Sequence, residues 1–397
     1  MRAAGTAIIA GAGIGGLAAA LALAQRGFHV SLFDQADRLE ETGAGIQLSP
    51  NASRLLIALG LDAPLRQHVV APEELNIMNA PTGRVLARVP LGSTAEKRYG
   101  APYWVIHRGD LQTVLLHAVC AKPAIALRLG TRIEDFALRR HGVTVSTLCR
   151  GQTAEERGTA LIGADGLWSG MRRRLGRGTP PRFAGHTAWR GLAAADAVAP
   201  DHRRPVVNLW LGRQARLVHY PVRGGALVNV VAITGDSWRE AGWSAPGDRA
   251  EILSRYPAEM WAAAARAILA APQGWRKWAL YDCAPFFPWG KGPITLLGDA
   301  AHAMLPYLAQ GAAAAIEDAA VLARELAGSP GDPAGAMRRY ENERIPRTTR
   351  IQHAARRNGM IYHMGGAGAF LRALALVGMS GAPLLARHDW LYGWKGA

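Results

Sequence analysis

The sequence has few cysteines and no long uninterrupted apolar run. Its 397 residues include three cysteines, Cys120, Cys149 and Cys283, whose spacing matches no metal-ligand, CxxC or disulfide pattern. We therefore expect no metal site and a reducing, cytoplasmic environment. Because no window holds the ~20 unbroken apolar residues that a membrane-spanning helix needs, we predict no membrane association.

Acidic residues are scarce relative to basic ones. The 46 Lys and Arg residues outnumber the 30 Asp and Glu residues and give a net charge of +16. The basic clusters at 171–177 and 338–350 lack the interleaved aromatic residues that stack on bases, so we predict a solvated arginine-rich surface and no nucleic-acid partner. A positive surface of this kind attracts anionic ligands and substrates.

The apolar N-terminal segment is interrupted by glycines in a pattern typical of dinucleotide binding. GAGIGG at 11–16 follows a predicted strand at 6–10, opens a predicted helix at 17–27 and precedes a strand at 28–34. In this βαβ unit Gly11 permits a tight turn, Gly13 lets a pyrophosphate approach the backbone, and Gly16 lets helix and strand pack closely. The pattern therefore favours a nucleotide site over a signal peptide.

The helix that follows this turn offers N–H groups and a positive dipole to phosphates, and an acidic residue ends the next strand, where it can accept from ribose hydroxyls. NAD and FAD both fit such a unit. The predicted cofactor-binding residues here are Gly11, Gly13, Ile14, Gly15, Gly16 and Asp34.

Two more predicted strands end in a Gly-Asp or Asp-Gly pair. GADGLWSGMR at 163–172 carries Asp165, which we place near the phosphates, and ITLLGD at 294–299 carries Asp299, which we place on a ribityl chain. A nearly featureless alanine helix then begins near Gly311 and Ala312. Its N-terminal N–H groups would face the pyrimidine edge of an isoalloxazine, where the helix dipole favours the anionic reduced flavin.

Together these motifs resemble the single-component FAD-dependent aromatic hydroxylases, such as salicylate, 3-hydroxybenzoate and 6-hydroxynicotinate monooxygenases. GxGxxG, DGxxSxxR (165–172) and GDAAHxxxP (298–306) occur in that group's order, and DWLYGW at 389–394 is similar to its ending. The resemblance implies an enzyme that binds FAD, uses NADH or NADPH as a transient co-substrate and activates O2 as a flavin C4a-hydroperoxide. Its substrate would be a small aromatic or heteroaromatic hydroxyacid.

The same resemblance assigns roles to single residues. It implies that Arg108 meets the FAD phosphates, that Gln112 lies near the adenine half, and that Gln47 lies near the isoalloxazine and the substrate. Pro306 stands where the 3-hydroxybenzoate enzymes tend to carry a substrate-contacting Gln, and we treat it as a substrate-binding candidate.

The stretch ARLVHYPV at 215–222 holds the catalytic candidates, Arg216, His219 and Tyr220. In a strand, Arg216 and Tyr220 share one face with Val218, while His219 lies on the other. Tyr220 matches the family tyrosine and could hydrogen-bond the substrate, or it could be a core tyrosine. Relatives commonly carry His at the position of Arg216, which here offers a cation to a substrate carboxylate. A packed histidine is the alternative for His219.

The order of predicted elements indicates an α/β fold. We predict a Rossmann-like FAD-binding domain of the GR2 type at 1–180 plus 280–397, with a mainly antiparallel β-sheet substrate domain inserted at 181–279 and helices at the C-terminus. The region 125–163 reads as short strands, with AEERG at 154–158 as a hairpin-like connection.

Two other functions remain open on the sequence. One is an FAD-dependent oxidoreductase of another type, such as a reductase or an oxidase, and the other is a catalytically silent flavin-binding interaction module. We expect a monomer or a homodimer.

Overall fold

A computed structural model describes residues 5–39, 44–240, 244–377 and 381–396. The strands in these ranges are β1 (Thr6–Ala10), β2 (His29–Phe33), β3 (Gly45–Leu48), β4 (Glu74–Asn79), β5 (Val85–Pro90), β6 (Trp104–His107), β7 (Ile125–Arg128), β8 (Thr131–Arg139), β9 (Gly142–Cys149), β10 (Gln152–Gly158), β11 (Ala160–Gly163), β12 (Arg182–Ala194), β13 (Val206–Leu211), β14 (Ala215–Val222), β15 (Leu227–Gly235), β16 (Ala245–Gly247), β17 (Trp275–Asp282) and β18 (Ile294–Leu296).

The helices in the described ranges are α1 (Ile14–Gln25), α2 (Pro50–Ala58), α3 (Asp62–Arg66), α4 (Gly92–Tyr99), α5 (Arg108–Cys120), α6 (Gly170–Arg174), α7 (Arg249–Ser254), α8 (Ala263–Ala270), α9 (Asp299–His302), α10 (Gly311–Ala327), α11 (Pro333–Tyr362), α12 (Gly366–Val377), α13 (Ala382–Ala386) and α14 (Asp389–Tyr392). Short 3-10 turns occur at Ala195–Ala197, Pro200–His202, Arg223–Gly225 and Pro306–Leu308.

A parallel sheet forms the centre of the N-terminal part. Its five strands lie in the order β18-β11-β1-β2-β7, and every neighbouring pair in it is parallel. These strands are short and apolar because helices cover the sheet, with α1 packed against both α5 and α10. The predicted βαβ unit and the α/β fold class are therefore confirmed.

Strands β8, β9 and β10 form a small antiparallel sheet on the surface. The predicted connection AEERG lies inside strand β10, which is a correction to the sequence prediction. The chain instead turns at Arg150 and Gly151, whose φ angles are 49° and 81°. The residues looked like a loop because most side chains of this edge strand are exposed and therefore polar.

The second large sheet contains eight strands in the order β16-β17-β12-β15-β14-β13-β4-β5. All its pairs are antiparallel except β13 with β4. Strands β4 and β5 come from residues 74–90, which the predicted boundary at residue 180 places with the FAD-binding part. We keep the two-part division as a proposal and move these two strands to the substrate sheet, because they extend it through the pairing of β4 with β13.

The C-terminal helices close the molecule. Helix α11 packs against α10, and a proline inside α11, Pro346, leaves the helix continuous from Pro333 to Tyr362. Among the described residues, no single helix has the length and apolar composition of a membrane span, although α11 and α12, which meet at 111°, reach those limits together.

Candidate flavin and substrate site

Three predicted motifs meet at one edge of the parallel sheet. Strand β1 lies between β2 and β11, and β18 lies beside β11, with Ala10 in register with Phe33 and Gly163, and Gly163 in register with Leu296. Because the strands are parallel, the residues that follow them emerge at the same edge. Gly11, Asp34, Asp165 and Asp299 therefore lie at this edge, although they are far apart in the sequence.

The glycine turn after β1 needs glycine for two different reasons. Gly11 has a φ of 107°, and a Cβ there would lie 2.3 Å from the Ala164 carbonyl oxygen. A Cβ on Gly16 would lie 1.9 Å from the Gly11 carbonyl oxygen. By contrast, a Cβ on Gly13 would meet no atom within 4 Å, so the backbone before α1 faces open space. That space is where a pyrophosphate can approach the helix N-terminus.

The other two residues of the turn lie at the start of α1. Ile14 is the first residue of the helix and is partly buried. A Cβ on Gly15 would lie 2.8 Å from Leu297 and 3.1 Å from Ala315, so Gly15 keeps α1 close to the strand-end loop and to α10.

Asp34 holds the glycine turn in place. Its Oδ2 accepts a hydrogen bond from the Ala12 N–H at 2.7 Å, and its Oδ1 accepts one from Ala36 at 2.9 Å. The carboxylate thus fixes the turn while standing at the end of β2, where the prediction places the ribose.

Asp165 organises the second motif and links it to the third. Its carboxylate accepts from Ser169 Oγ at 2.5 Å and from the Met171 N–H at 2.9 Å. Arg172 then reaches across to donate to the Ala300 carbonyl at 2.8 Å. The two predicted flavin loops are therefore joined by a buried arginine, which explains the Ser and Arg of the DGxxSxxR pattern.

Asp299 and Arg108 lie close enough to influence each other. Asp299 is the first residue of α9 and is exposed, and Arg108 is the first residue of α5. Burial, together with the neighbouring Arg190 cation, lowers the pKa of Arg108 to about 10, while Asp299 opposes that change. Gln112 lies one turn further along α5 and is partly buried. The arrangement places a cation and a carboxylate together where the phosphates and the ribityl chain are predicted.

The N-terminus of α10 also faces open space. A Cβ on Gly311 would meet nothing within 4 Å, and both Gly311 and Ala312 are partly exposed. Behind it, Gln310 Nε2 donates to Ser49 Oγ at 2.9 Å, and Asn51 Nδ2 donates to Gln310 Oε1 at 3.1 Å. With the open glycine turn at α1, this second open helix start fits a flavin dinucleotide laid between the two helices.

A buried charge network supports the third motif from below. Asp318 is fully buried and accepts from the Gly298 N–H at 3.0 Å, from His302 Nε2 at 2.5 Å and from Arg344 Nε at 2.7 Å. Burial raises the pKa of Asp318, but His302 and Arg344 outweigh it and lower the value to about 2. Arg344 also pairs with Glu317 at 2.7 Å. His302 is therefore part of the hydrogen-bond network that holds this turn in place.

The substrate candidates lie on the large sheet, on the predicted faces of β14. Tyr220 belongs to the same hydrophobic cluster as Val222, on one face of β14. Leu217 belongs to a different hydrophobic cluster, on the opposite face of the strand. Tyr220 is 3% exposed, and a Cβ on Gly45 of β3 would lie 2.6 Å from its ring. Burial raises the pKa of Tyr220, so its hydroxyl is protonated at neutral pH.

Arg216 is a buried cation surrounded by aromatic rings. Its guanidinium lies 3.9 Å from the ring centroid of Tyr307 and 5.7 Å from that of Tyr362. No carboxylate among the described residues pairs with it, and its Nε has no hydrogen-bond partner in that part of the chain. Burial lowers the pKa of Arg216 to about 10, so it remains charged at neutral pH.

His219 lies on the other face of β14. Its ring contacts His202 and Trp210, with centroid distances of 5.8 and 6.3 Å, and it is fully buried. Burial lowers its pKa to about 3, so the ring is neutral. The strand separates its ring from Tyr220, and its catalytic role stays a prediction. Pro306 begins the 3-10 turn that carries Tyr307 and is partly buried.

Gln47 lies between two tyrosines. On β3 it pairs in register with Val105 of β6, and its Oε1 accepts from Tyr103 Oη at 2.6 Å. Its side chain lies close enough to Tyr220 to oppose the rise that burial causes in the pKa of Tyr220. The structure therefore brings Gln47 and Tyr220 together, as the shared substrate assignment requires.

Sequence reasoning missed Arg190 and Tyr103. Arg190 of β12 is in register with Val231 of β15, which is in register with Val218 of β14, and it acts electrostatically on both Tyr220 and Arg108. The signal was a single arginine inside the otherwise apolar stretch AWRGLAA. Tyr103 carried no signal, because only the pairing of β3 with β6 brings it to Gln47.

The chain is similar to known flavoproteins along nearly its whole length. The chain matches the FAD binding domain family over residues 5–355. It is 38% identical over 391 residues to 3-hydroxybenzoate 6-hydroxylase of Klebsiella oxytoca, covering 98% of this chain and 96% of that protein. It is 37% identical over 391 residues to 3-amino-4-hydroxybenzoate 2-monooxygenase PtnB3 of Streptomyces platensis, with the same coverage of 98% and 96%.

A solved structure is similar along nearly the whole length. Klebsiella pneumoniae HpxO complexed with FAD and uric acid superposes with a TM-score of 0.86 at 26% identity, covering 98% of this chain and 97% of that chain. Since the family match extends over residues 5–355 and the likeness to curated hydroxylases covers almost every residue, the chain belongs to the FAD binding domain family.

Proposed function

We propose that this FAD-dependent monooxygenase hydroxylates a small aromatic acid that carries a ring hydroxyl, with the carboxylate at Arg216 and the hydroxyl at Tyr220. The observation that carries the proposal is a buried arginine without a carboxylate partner among the described residues, on the same sheet face as a buried tyrosine. A buried charge of this kind is costly unless a partner neutralises it. A substrate carboxylate supplies that partner.

The spacing of the two residues suits such a substrate. Residues four apart in a strand have Cα atoms about 13 Å apart, and their side chains can converge on one ring from both ends. Between them, Val218 and its neighbour Val231 are only partly buried although they lie in the middle of the sheet. Their side chains offer a flat, apolar surface to an aromatic ring.

The residues around the flavin have separate tasks. Gly13 and the N-terminus of α1 would receive the pyrophosphate, Arg108 and Asp299 would hold the phosphates and the ribityl chain, and α10 would face the flavin ring. FAD, when bound, supplies the redox chemistry that activates O2, while the protein supplies orientation and excludes water. NADH or NADPH would react transiently, because the sequence has no second GxGxxG motif.

Substrate-stimulated oxidation of NADH or NADPH tests this proposal. We expect purified holoenzyme to oxidise one of them faster with one member of a panel of hydroxybenzoates, hydroxynicotinates and aminohydroxybenzoates, with oxygen incorporated into the product. Urate belongs in the panel because the similar solved structure is a complex with uric acid. Stimulation without oxygen incorporation would indicate a reductase or an oxidase, and no stimulation by any compound would indicate a silent flavin-binding module.

Replacing the buried arginine tests the substrate class. Arg216→Ala removes the cation that would bind the carboxylate, so we expect KM for the active acid to rise about 10- to 100-fold. KM for an analogue of that acid without the carboxylate should change little. The matched control is Arg213→Ala on the same hairpin, because Arg213 is exposed. An unchanged KM in Arg216→Ala would mean that the carboxylate binds elsewhere.

A further inference from the structure

A cleft between helices α11 and α14 lies apart from the residues assigned to the flavin and the substrate. Its volume is about 490 Å³, and it is lined by Thr349, Arg350, His353 and Arg357 of α11 and by Trp390 of α14. This volume is in the range of small-molecule sites. Because the α11 residues are three and four positions apart, they share one face of the helix and line the cleft together.

The arginines of this cleft lack the carboxylate partners that the other arginines of α11 have. Five of the seven arginines in this helix form ion pairs: Arg338, Arg339, Arg344, Arg347 and Arg356. The other two, Arg350 and Arg357, pair with no carboxylate in the described part of the chain. Both line the cleft and both are exposed. The unpaired cations of the helix are therefore concentrated at one place.

The local sequence leaves this row of basic residues without acidic neighbours on its own helix. From Arg344 to Tyr362, α11 contains no Asp or Glu. Arg350 and Arg357 are two turns apart, about 10 Å along the helix axis, and His353 lies between them. A positive row of this kind attracts anions. Two phosphate groups in series can contact both arginines, whereas a single carboxylate leaves one of them unpaired.

One of these arginines is held in place by an aromatic ring. The Arg350 guanidinium lies 4.0 Å from the ring centroid of Trp390. This cation–π contact restricts the side chain without using its N–H groups, which stay available to bind a phosphate through two hydrogen bonds. Pro346, Ala354 and Trp390 give the cleft an apolar side, against which a planar base can lie. The cleft therefore combines phosphate-binding groups with a surface for a ring.

Helix α14 contacts both this cleft and the predicted flavin site. Trp390 lines the cleft, and two residues further along the ring centroid of Tyr392 lies 5.8 Å from that of Tyr103. Tyr103 in turn donates to Gln47 at 2.6 Å, and Gln47 is predicted to lie near the isoalloxazine. The cleft is thus connected to the predicted flavin ring through one short helix.

We propose that this cleft binds the adenosine diphosphate half of NADH or NADPH, with the pyrophosphate on Arg350 and Arg357 and the adenine against the apolar side. The inference rests on the function proposed above and deepens it, because it gives the transient co-substrate a binding site. The nicotinamide half remains free to extend toward the flavin. An open cleft lined by side chains suits a coenzyme that must bind and leave in every turnover.

Binding of ADP-ribose to the holoenzyme tests the site without turnover, because this fragment carries the adenosine diphosphate half but no nicotinamide. We expect calorimetric titration of wild type, with FAD bound, to show an affinity that decreases as salt is added. Arg357→Ala should weaken the affinity about 5- to 30-fold, because a charge-assisted hydrogen bond to phosphate is lost. Arg357→Glu should weaken it further, because a carboxylate repels the phosphate.

Steady-state kinetics then connect the cleft to the coenzyme. ADP-ribose should inhibit competitively against NADH or NADPH, and the coenzyme KM should rise in Arg357→Ala by the same factor as the ADP-ribose dissociation constant. The KM for the aromatic acid should not change. The matched control is Arg339→Ala, which removes one positive charge from the same helix at a surface pair with Glu325. It should leave both the ADP-ribose affinity and the coenzyme KM at the wild-type values.

The outcomes separate this inference from the proposed function. If wild type does not bind ADP-ribose, or if Arg357→Ala and Arg339→Ala bind it equally well, the inference is overturned and the substrate class stands. If Arg357→Ala loses ADP-ribose binding but keeps the coenzyme KM, the cleft takes a free nucleotide, and the coenzyme assignment is wrong. If no aromatic acid stimulates coenzyme oxidation, the proposed function fails, while calorimetry still decides whether the cleft binds ADP-ribose. Flavin content and melting temperature show whether each variant is folded.

Discussion

Single residues at the flavin site differ in why they are needed, and glycine shows this most clearly. Gly11 and Gly16 are required by the fold itself, since a Cβ on either would collide with backbone oxygen. Gly13 has an ordinary φ of −70° and no atom within 4 Å of its Cβ direction. The open space at this position is what a pyrophosphate bound against the start of α1 requires.

This difference makes Gly13→Val a selective test. We expect the variant to fold with a melting temperature close to that of wild-type apo-protein, but to purify without flavin, because the valine side chain occupies the pyrophosphate position. Flavin absorbance per polypeptide and thermal unfolding measure the two effects. A normal flavin spectrum in Gly13→Val would show that the pyrophosphate lies elsewhere.

At the scale of elements, the N-terminus of helix α10 and its buried acidic residues have different functions. Its start points toward the predicted flavin ring, and its buried Glu317 and Asp318 hold other parts of the site. Glu317 accepts from Asn51 at 2.7 Å, and Asp318 accepts from the Gly298 N–H. The helix therefore fixes the loop before Asp299 and the start of α2 in one rigid arrangement, which explains why acids occur in an alanine-rich helix.

Asp318→Asn should destabilise the protein strongly. The change leaves the buried Arg344 with one carboxylate instead of two, and breaking a buried pair costs roughly 3–5 kcal/mol. We also expect weaker flavin binding, because the turn at Gly298 loses its charged acceptor. Urea unfolding and flavin titration measure both effects.

The control on the same helix is Glu325→Gln. Glu325 pairs with Arg324 and Arg339 at the surface, at 2.9 and 3.1 Å. Such pairs contribute about 0–1 kcal/mol, so this variant should resemble wild type. Equal losses in both variants would contradict a special role for Asp318.

At the scale of the whole molecule, the proposed site draws its residues from two sheets. The parallel sheet carries the loops for the cofactor, and the eight-stranded sheet presents Arg190, Arg216 and Tyr220 toward it. On the proposal above, neither sheet is sufficient, because the predicted flavin residues and the predicted substrate residues belong to different sheets. Strand β3 is bonded to Asn229 of the eight-stranded sheet and pairs with β6. Strand β6 leads into α5, which packs against α1 beside the parallel sheet.

Stability of the whole molecule should decrease as the pH falls from 7 to 5. Burial lowers the pKa of His219 to about 3 and, together with His186 and Arg216, that of His363 to about 4. Both values lie below the ordinary pKa of histidine, so at acidic pH the unfolded chain binds protons that the folded protein does not bind. The free energy of unfolding therefore decreases once the pH falls below the pKa of an exposed histidine. For His219 alone the loss at pH 5 is roughly 2 kcal/mol.

Urea unfolding at pH 7, 6 and 5 measures this slope. His219→Gln removes one of the titrating groups, so we expect its stability to change less between pH 7 and pH 5 than that of wild type. An identical slope in the two proteins would attribute the acid sensitivity to repulsion among the many surface cations.

The sequence by itself determined the fold class, because it depends on local signals: glycines with special backbone demands, aspartates at strand ends, and apolar runs of strand or helix period. The family and its cofactor followed from the resemblance that these motifs carry together. The members of the substrate site needed the tertiary structure. Arg190 and Tyr103 reach the site only through strand pairing between distant segments, β4 and β5 join the second sheet through β13, and AEERG is a strand because its neighbours pair with it. Pairing partners and burial are properties of the folded chain, so a side chain's surroundings cannot be read from its nearest neighbours in the sequence.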